Sequence, residues 1–196
     1  SAGSVVSFDG ANDCIIVTSG VSDIYSFSNG TDKFTLSGWI RLNVFGSDRA
    51  IISKWLALGT QRAWEFIVSA GALSLVFSLD GGTGKWTFSA TGACVLDAWQ
   101  HCVVTFNQET DTARMYVNGK EVTIDTITGT PGVPLNSSAN VNFGASKDGA
   151  DDQLNGYLSD LRIYNRVLSP QEVAQEILSV LRQGKTFHGV VEVRKK

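Results

Sequence analysis

Histidine, cysteine, proline and methionine are scarce in this chain of 196 residues, which carries two, three, three and one of them. Two histidines leave little for a multi-histidine metal centre. Cys14, Cys94 and Cys102 form no Cys-x-x-Cys pair, so no common zinc spacing is present. An odd count allows at most one disulfide and leaves one thiol over, and the ordinary fate of such thiols is inert burial. No run approaches the ~18 apolar residues that span a membrane. Basic excess is absent too: the net charge is −3, which removes the electrostatic footprint of a nucleic-acid binder. The opening Ser1-Ala2-Gly3-Ser4 does not read as a signal peptide. What is present is a folding composition, 43% hydrophobic and 18% charged. At this length the chain buries a core without disulfide or metal staples.

Short strand-like segments recur, with turn formers between them. Val5–Phe8 and Asp13–Val17 flank Asp9-Gly10-Ala11-Asn12, a hairpin-like break. In Lys33–Leu42, Phe34, Leu36 and Ile40 fall on one face and Trp39 on the other. Arg49–Trp55, Ala63–Ser69, Ala72–Leu79 and Lys85–Ser89 continue the series, followed by Trp99–Asn107. Arg114–Val117 and Val122–Ile127 flank Asn118-Gly119, the strongest short hairpin signal. Asn140–Ala145 and Gly156–Asn165 close it. No helical segment interrupts these strands, which predicts an all-β antiparallel sandwich or barrel.

One helix follows. Ser169 is its N-cap, Pro170 its first residue and Glu172 completes a capping box. Val173, Ile177 and Leu181, joined by Ala174 and Leu178, form an apolar stripe. Gly184 stands where a helix-ending glycine belongs. The helix should run over Pro170–Arg182, with a final strand in the tail around Val190, Val191 and Val193, paired to an edge or to a neighbouring copy.

The order of these pieces carries a resemblance. Phe8-Asp9-Gly10-Ala11-Asn12-Asp13 opens the pattern, followed by Phe34-Thr35-Leu36-Ser37-Gly38-Trp39-Ile40 and Ile51-Ile52-Ser53-Lys54-Trp55. Trp99-Gln100-His101-Cys102-Val103-Val104-Thr105-Phe106 and Met115-Tyr116-Val117-Asn118-Gly119 come next. Phe143-Gly144-Ala145 and the stretch from Leu154-Asn155-Gly156 through Asp160-Leu161-Arg162-Ile163-Tyr164 to Ser169-Pro170 end it. Across about Val5–Leu181 the chain resembles the laminin-G-like jelly rolls of the concanavalin A-like lectin/glucanase superfamily. The resemblance implies a two-sheet jelly roll over residues 1–183, with residues 184–196 as an extension, and a binding role, commonly toward carbohydrate, in secreted or surface proteins. Trp39 and Trp99 match positions read as core.

Catalysis is disfavoured. Glycoside hydrolysis needs two carboxylates across the scissile bond, and in retaining enzymes of this superfamily both come from one Glu-x-Asp-x-(x)-Glu strand. None of Glu65, Glu109, Glu121, Glu172, Glu176 and Glu192 opens such a motif. Glu121 and Asp125 read as a solvated pair on one strand face, Glu172 and Glu176 as solvated helix residues, and His101 as a structural residue among apolar neighbours. Sugar recognition needs exposed rings and polar rims. Trp55, Trp64 and Trp86 flank turn-like segments and are candidate platforms, with core packing as the competing reading. Asp148, Asp151 and Asp152, in the loop Ala145–Gln153, are candidates for sugar hydroxyls or a cation, with a plain polar loop as the alternative.

The resemblance also implies a structural Ca²⁺, with Asp160 as its side-chain ligand and further oxygens near Asp9 and Gly30. Pairing of Asp160 with Arg162, and turn formation by Asp9 and Asp13, are the rival roles. Two functions stay open. One is a carbohydrate-binding module of a larger surface or secreted protein, with a glycan or cell-surface partner. The other is a structural or attachment domain of a cell envelope or virion, in which the C-terminal strand adds to a neighbour's sheet and makes an oligomer.

Overall fold

The computed structural model describes residues 5–19, 25–56, 58–82, 84–182 and 190–192. Two seven-stranded sheets face each other. In the first lie β1 (Val5–Asp9), β3 (Lys33–Leu42), β8 (Gln100–Asn107), β9 (Thr112–Val117), β10 (Lys120–Val122), β13 (Asn155–Tyr164) and β14 (Val190–Glu192), ordered β10-β9-β8-β3-β13-β1-β14. In the second lie β2 (Ile15–Val17), β4 (Arg49–Leu56), β5 (Gln61–Ser69), β6 (Ala72–Ser78), β7 (Lys85–Ala90), β11 (Thr126–Thr128) and β12 (Val141–Phe143), ordered β11-β7-β6-β5-β4-β12-β2. Every pairing is antiparallel except that of β14, which runs parallel along β1 from Val5 to Ser7. This is the jelly-roll sandwich that the sequence pattern predicts.

Alternation along each strand decides what fills the space between the sheets. In β3, Phe34, Leu36, Ile40 and Leu42 point inward and are buried, while Thr35, Ser37, Trp39 and Arg41 take the other face. Phe34, Phe77, Phe106 and Trp86 meet in the middle, with Phe77 and Phe106 ring centroids 4.8 Å apart and Phe34 and Phe106 5.6 Å apart. Tilted and edge-on ring contacts of this kind add to the apolar area removed from water. One bulge tunes the register. Between Ser159 and Arg162 the pairing of β13 with β3 shifts, and Asp160 adopts φ 51. The bulge swings Leu161 inward over Gly38, where a Cβ would stand 2.4 Å from Leu161 Cδ2. Gly38 is therefore the space that Leu161 fills.

The Asn118-Gly119 hairpin forms as expected, with φ of 51 and 75 at the two residues, joining β9 to β10. Two other expectations are corrected. β1 and β2 do not pair with each other but belong to different sheets. The segment between them satisfies its own backbone: Asp9 N donates to Asp13 Oδ2 (2.9 Å) and Ala11 N to Asp9 Oδ1 (2.9 Å). Likewise Val122–Ile127 is not one strand. It leaves β10 in the first sheet and enters β11 in the second, so Glu121 and Asp125 share no face. Asp125 instead takes the Thr91 backbone N–H (3.2 Å) and hydroxyl (3.0 Å) at the crossing, and those bonds hold its carboxyl below the usual range.

Helix α1 (Pro170–Arg182) has the predicted bounds. Its capping box is closed in both directions, with Ser169 N donating to Glu172 Oε2 (2.8 Å) and Glu172 N to Ser169 Oγ (3.3 Å). Val173 packs with Leu168 onto Val103 and Tyr116 on the outer face of the first sheet. The stripe is rotated from the expected one: Glu176 is buried with Val173, and Leu178 is exposed. The expectation of a solvated Glu176 is thereby corrected. Gly184 lies outside the described residues.

Candidate functional site

The acidic loop folds over the outer face of the second sheet. Ala50 N donates to the Asp152 carbonyl (2.9 Å) and Ser53 Oγ to the Ala145 carbonyl (3.0 Å). The three aspartates fare differently. Asp151 pairs with Lys147, whose ammonium lowers its pKa. Asp148 accepts from Asn140 Nδ2 (3.2 Å). Asp152 turns inward, takes the Ser146 hydroxyl at 2.5 Å, and is pushed up by burial. Beneath the loop, on β5, sits Glu65, opposite Ser53 on β4 and Val76 on β6. Its Oε1 is buried without a hydrogen-bond partner. Burial first, and then the charge of Asp152, push this carboxyl up to about 8. Sequence reading noted Glu65 only for lacking a catalytic motif. A charged residue flanked by Trp64 and Phe66 was the available signal.

The tryptophan platforms are not where the sequence placed them. Trp64 and Trp86 lie in the core between the sheets, and Trp64 Nε1 donates to the Tyr25 carbonyl (2.8 Å). Trp55 is on the outer face of the second sheet but buried there, with Arg62 (5.9 Å) and Lys85 (5.2 Å) near its ring centroid. None of the three offers a ring to a ligand. The half-buried rings are Trp99 and Tyr157 on the first sheet, beyond the end that α1 covers.

These two rings make a shelf. Their centroids are 6.3 Å apart and tilted by 50°. The Arg41 guanidinium carbon lies 5.4 Å from the Tyr157 centroid, on the neighbouring strand, and Arg41 Nη2 stands 3.6 Å from Asp97 Oδ1. Asp97 is 68% exposed in its side chain and has φ 58, held there by its N–H bonding the Leu42 carbonyl (2.8 Å). Asn43 Nδ2 donates to Asn155 Oδ1 (2.9 Å) at the same end of the sheet. Apolar ring surface beside a cation, a carboxylate and amides is the inventory that sugar recognition calls for. Trp99 was read as core from family position. Two signals pointed the other way: it ends the stretch Val95-Leu96-Asp97-Ala98, and Tyr157 shares strand parity with outward Ser159.

A third polar cluster lies under α1. Glu176 Oε1 accepts from the Tyr164 hydroxyl (2.5 Å), Arg162 Nη1 (3.2 Å) and Ser37 Oγ (3.3 Å). Glu176 Oε2 lies 3.6 Å from His101 Nε2. Burial lowers the pKa of His101 against the pull of Glu176. Both Asp160 oxygens are taken by Arg162, at 3.3 Å from Nε and 2.7 Å from Nη2. Asp9 is engaged in its own turn. A guanidinium stands where a cation would have to bind, and these residues do not fit a calcium ion as arranged. Among the described residues no group of three or more His, Cys, Asp or Glu side chains is placed to hold a metal. Cys14, Cys94 and Cys102 are all free, and the Cys102 thiol is pushed far up by the Cys94 thiol beside it and by burial.

Among solved structures, the chain is similar to the CBM40 of the Ruminococcus gnavus IT-sialidase bound to α2,3-sialyllactose. That match has a TM-score of 0.61 and 13% identity, and covers 84% of this chain and 96% of that one. It is similar also to the native heptameric SAP-like pentraxin of Limulus polyphemus (TM-score 0.61, 16% identity, 95% and 85% covered). The binding domain of botulinum neurotoxin serotype G matches at a TM-score of 0.60 and 14% identity, over 90% of this chain and 46% of that one. At such identities the likeness is one of fold. No curated protein matches the sequence. A laminin-G-type family model, described as the concanavalin A-like lectin/glucanases superfamily, matches residues 9–174. Family model and sandwich agree over most of the chain, which belongs to the concanavalin A-like lectin/glucanases superfamily.

Proposed function

We propose that this domain is a non-catalytic carbohydrate-recognition module, part of a larger surface or secreted protein, that holds its sugar on the Trp99–Tyr157 shelf. The observation that carries this reading is the ring pair itself, half-buried and rimmed by Arg41 and Asp97. A pyranose stacks its C–H face on such rings while cation, carboxylate and amides take its hydroxyls. A solved neighbour bound to sialyllactose supports a glycan as the ligand class. The catalytic alternative finds no support in Glu65, which lies sealed beneath the acidic loop.

A structural or attachment role is the second reading. Val95 and Leu96, 51% and 37% exposed beside Trp99, favour it, since rings, arginine and exposed aliphatics together also make protein-binding hot spots. Among the described residues β14 occupies the edge of β1, and an oligomer built on the tail would extend from there. A glycan array probed with and without excess Ca²⁺ separates the readings. Binding that is lost in Trp99→Ala or Tyr157→Ala, with an unchanged melting temperature, supports the module. A blank array in both conditions moves the case to attachment. Exhaustive chelation is expected to leave the melting temperature unchanged, because Arg162 occupies Asp160; a fall of several degrees would restore the calcium reading.

A further inference from the structure

A second polar site lies on the same sheet, on the other side of α1. We infer that the cleft over β3, β8 and β9 binds an acidic saccharide through Lys33 and Arg114. The inference rests on the carbohydrate reading above but uses none of its residues. The cleft has a volume of about 380 Å³, within the range of small-ligand sites. Its floor is built by strand register. Phe34, Phe106, Ala113 and Met115 face the core. Their neighbours Lys33, Thr105, Asn107, Thr112 and Arg114 therefore share the outer face. Lys33, Asn107 and Thr112 stand in one cross-strand row, and Thr105 and Arg114 in the next. Thr110 and Val167 complete the wall.

The floor is thus hydroxyls and an amide, with one aliphatic residue and a cation at each of two opposite corners. Strand spacings of ~4.8 Å and rises of ~3.3 Å per residue put the Lys33 and Arg114 Cα atoms about 12 Å apart. Two long side chains reaching in from that separation span one or two sugar units. Each cation now rests on an exposed carboxylate, Lys33 on Glu109 at 2.5 Å and Arg114 on Glu121 at 3.5 Å. Side chains in both pairs are 41% exposed or more, so the pairs contribute little and exchange readily. A sulfate or sugar carboxylate can replace either glutamate, and the guanidinium can grip it bidentately. Lining carboxylates are absent from the cleft itself, whereas a neutral sugar would leave both cations unused.

The test is titration calorimetry with four probes: a sulfated disaccharide, its desulfated counterpart, a uronate oligosaccharide and sodium sulfate alone. The sulfated or the uronate probe is expected to bind, and to weaken at least tenfold in Lys33→Gln and in Arg114→Gln, with unaltered melting temperatures. Rising salt should weaken it further. Trp99→Ala should leave it unchanged. The inference is overturned if no saccharide binds, if sodium sulfate alone binds as well as the disaccharide, or if the desulfated sugar is equal to the sulfated one while the uronate stays silent. Loss in Trp99→Ala without loss in Arg114→Gln would return the ligand to the shelf and overturn the cleft, leaving the carbohydrate reading intact. A blank neutral-glycan array beside a positive sulfated titration would do the reverse.

Discussion

Two glutamates are buried on opposite outer faces of this sandwich, and they have opposite company. Glu176, under α1, accepts from Tyr164, Arg162 and Ser37. Glu65, under the acidic loop, keeps one oxygen without a partner and has Asp152 for a neighbour. Both are nearly as inaccessible as core leucines. Burial alone therefore does not decide how a carboxyl behaves; the donors that follow it inside do. The helix arrives with a ready set of donors from β13 and β3. The loop, crossing β4 by backbone bonds, brings a second carboxyl instead.

Removing the well-partnered glutamate should have the largest effect. Glu176→Ala strands Arg162 and His101 beneath the helix and is expected to cost about 3 kcal/mol in urea denaturation, at the low end for a broken buried pair because Arg162 is one-third exposed. An unchanged midpoint would show that α1 is held by Val173 and Leu168 alone. Glu65→Gln should act through pH. With its folded pKa raised from 4.5 to about 8, the folded state holds a proton that the unfolded state releases, so stability falls as pH rises through that window. The glutamine should match the parent at pH 5 and melt higher at pH 9; parallel curves would break the comparison. On the helix side the sign reverses. The pKa of His101 is held below 6.5, so the unfolded state takes up protons first and stability is lost as pH falls below that value. His101→Gln should flatten the acid limb of the melting curve. The smallest effect belongs to Lys147→Met. It frees Asp151 at a cost under about 1 kcal/mol and, by removing a cation that lowers Glu65, moves the basic limb to higher pH.

Much of the fold was legible in the sequence because alternation and capping are local. The run Lys33–Leu42 and the helix Pro170–Arg182 were bounded as observed, since one strand face and one capping box suffice to define them. Val122–Ile127 misled because its strand-like composition holds on both sides of a crossing that only the pairing partners reveal. The site was less legible. Trp64 and Trp86 sit beside turns and yet point inward, and Trp99 looks like the start of a core strand and yet lies half-open, because exposure depends on which loop end and which face a ring meets. Glu65 was passed over because its significance lies in Asp152, 87 positions further along the chain by residue number. The cleft at Lys33 and Arg114 needed three strands in register before any of it existed.

The bulge between Ser159 and Arg162 has a consequence for how the sequence can change over time. One extra residue there sets the phase of everything that follows on β13: Arg162 and Tyr164 reach the helix only because Leu161 has been turned toward Gly38. Deleting Asp160 would restore plain alternation, send Arg162 toward Gly38 and leave Glu176 without two of its donors. A single-residue deletion at any other point between Gly156 and Tyr164 would do the same unless the bulge shifted to absorb it. Length is thus inherited more strictly than identity in this strand, and insertions and deletions should be far rarer across it than substitutions.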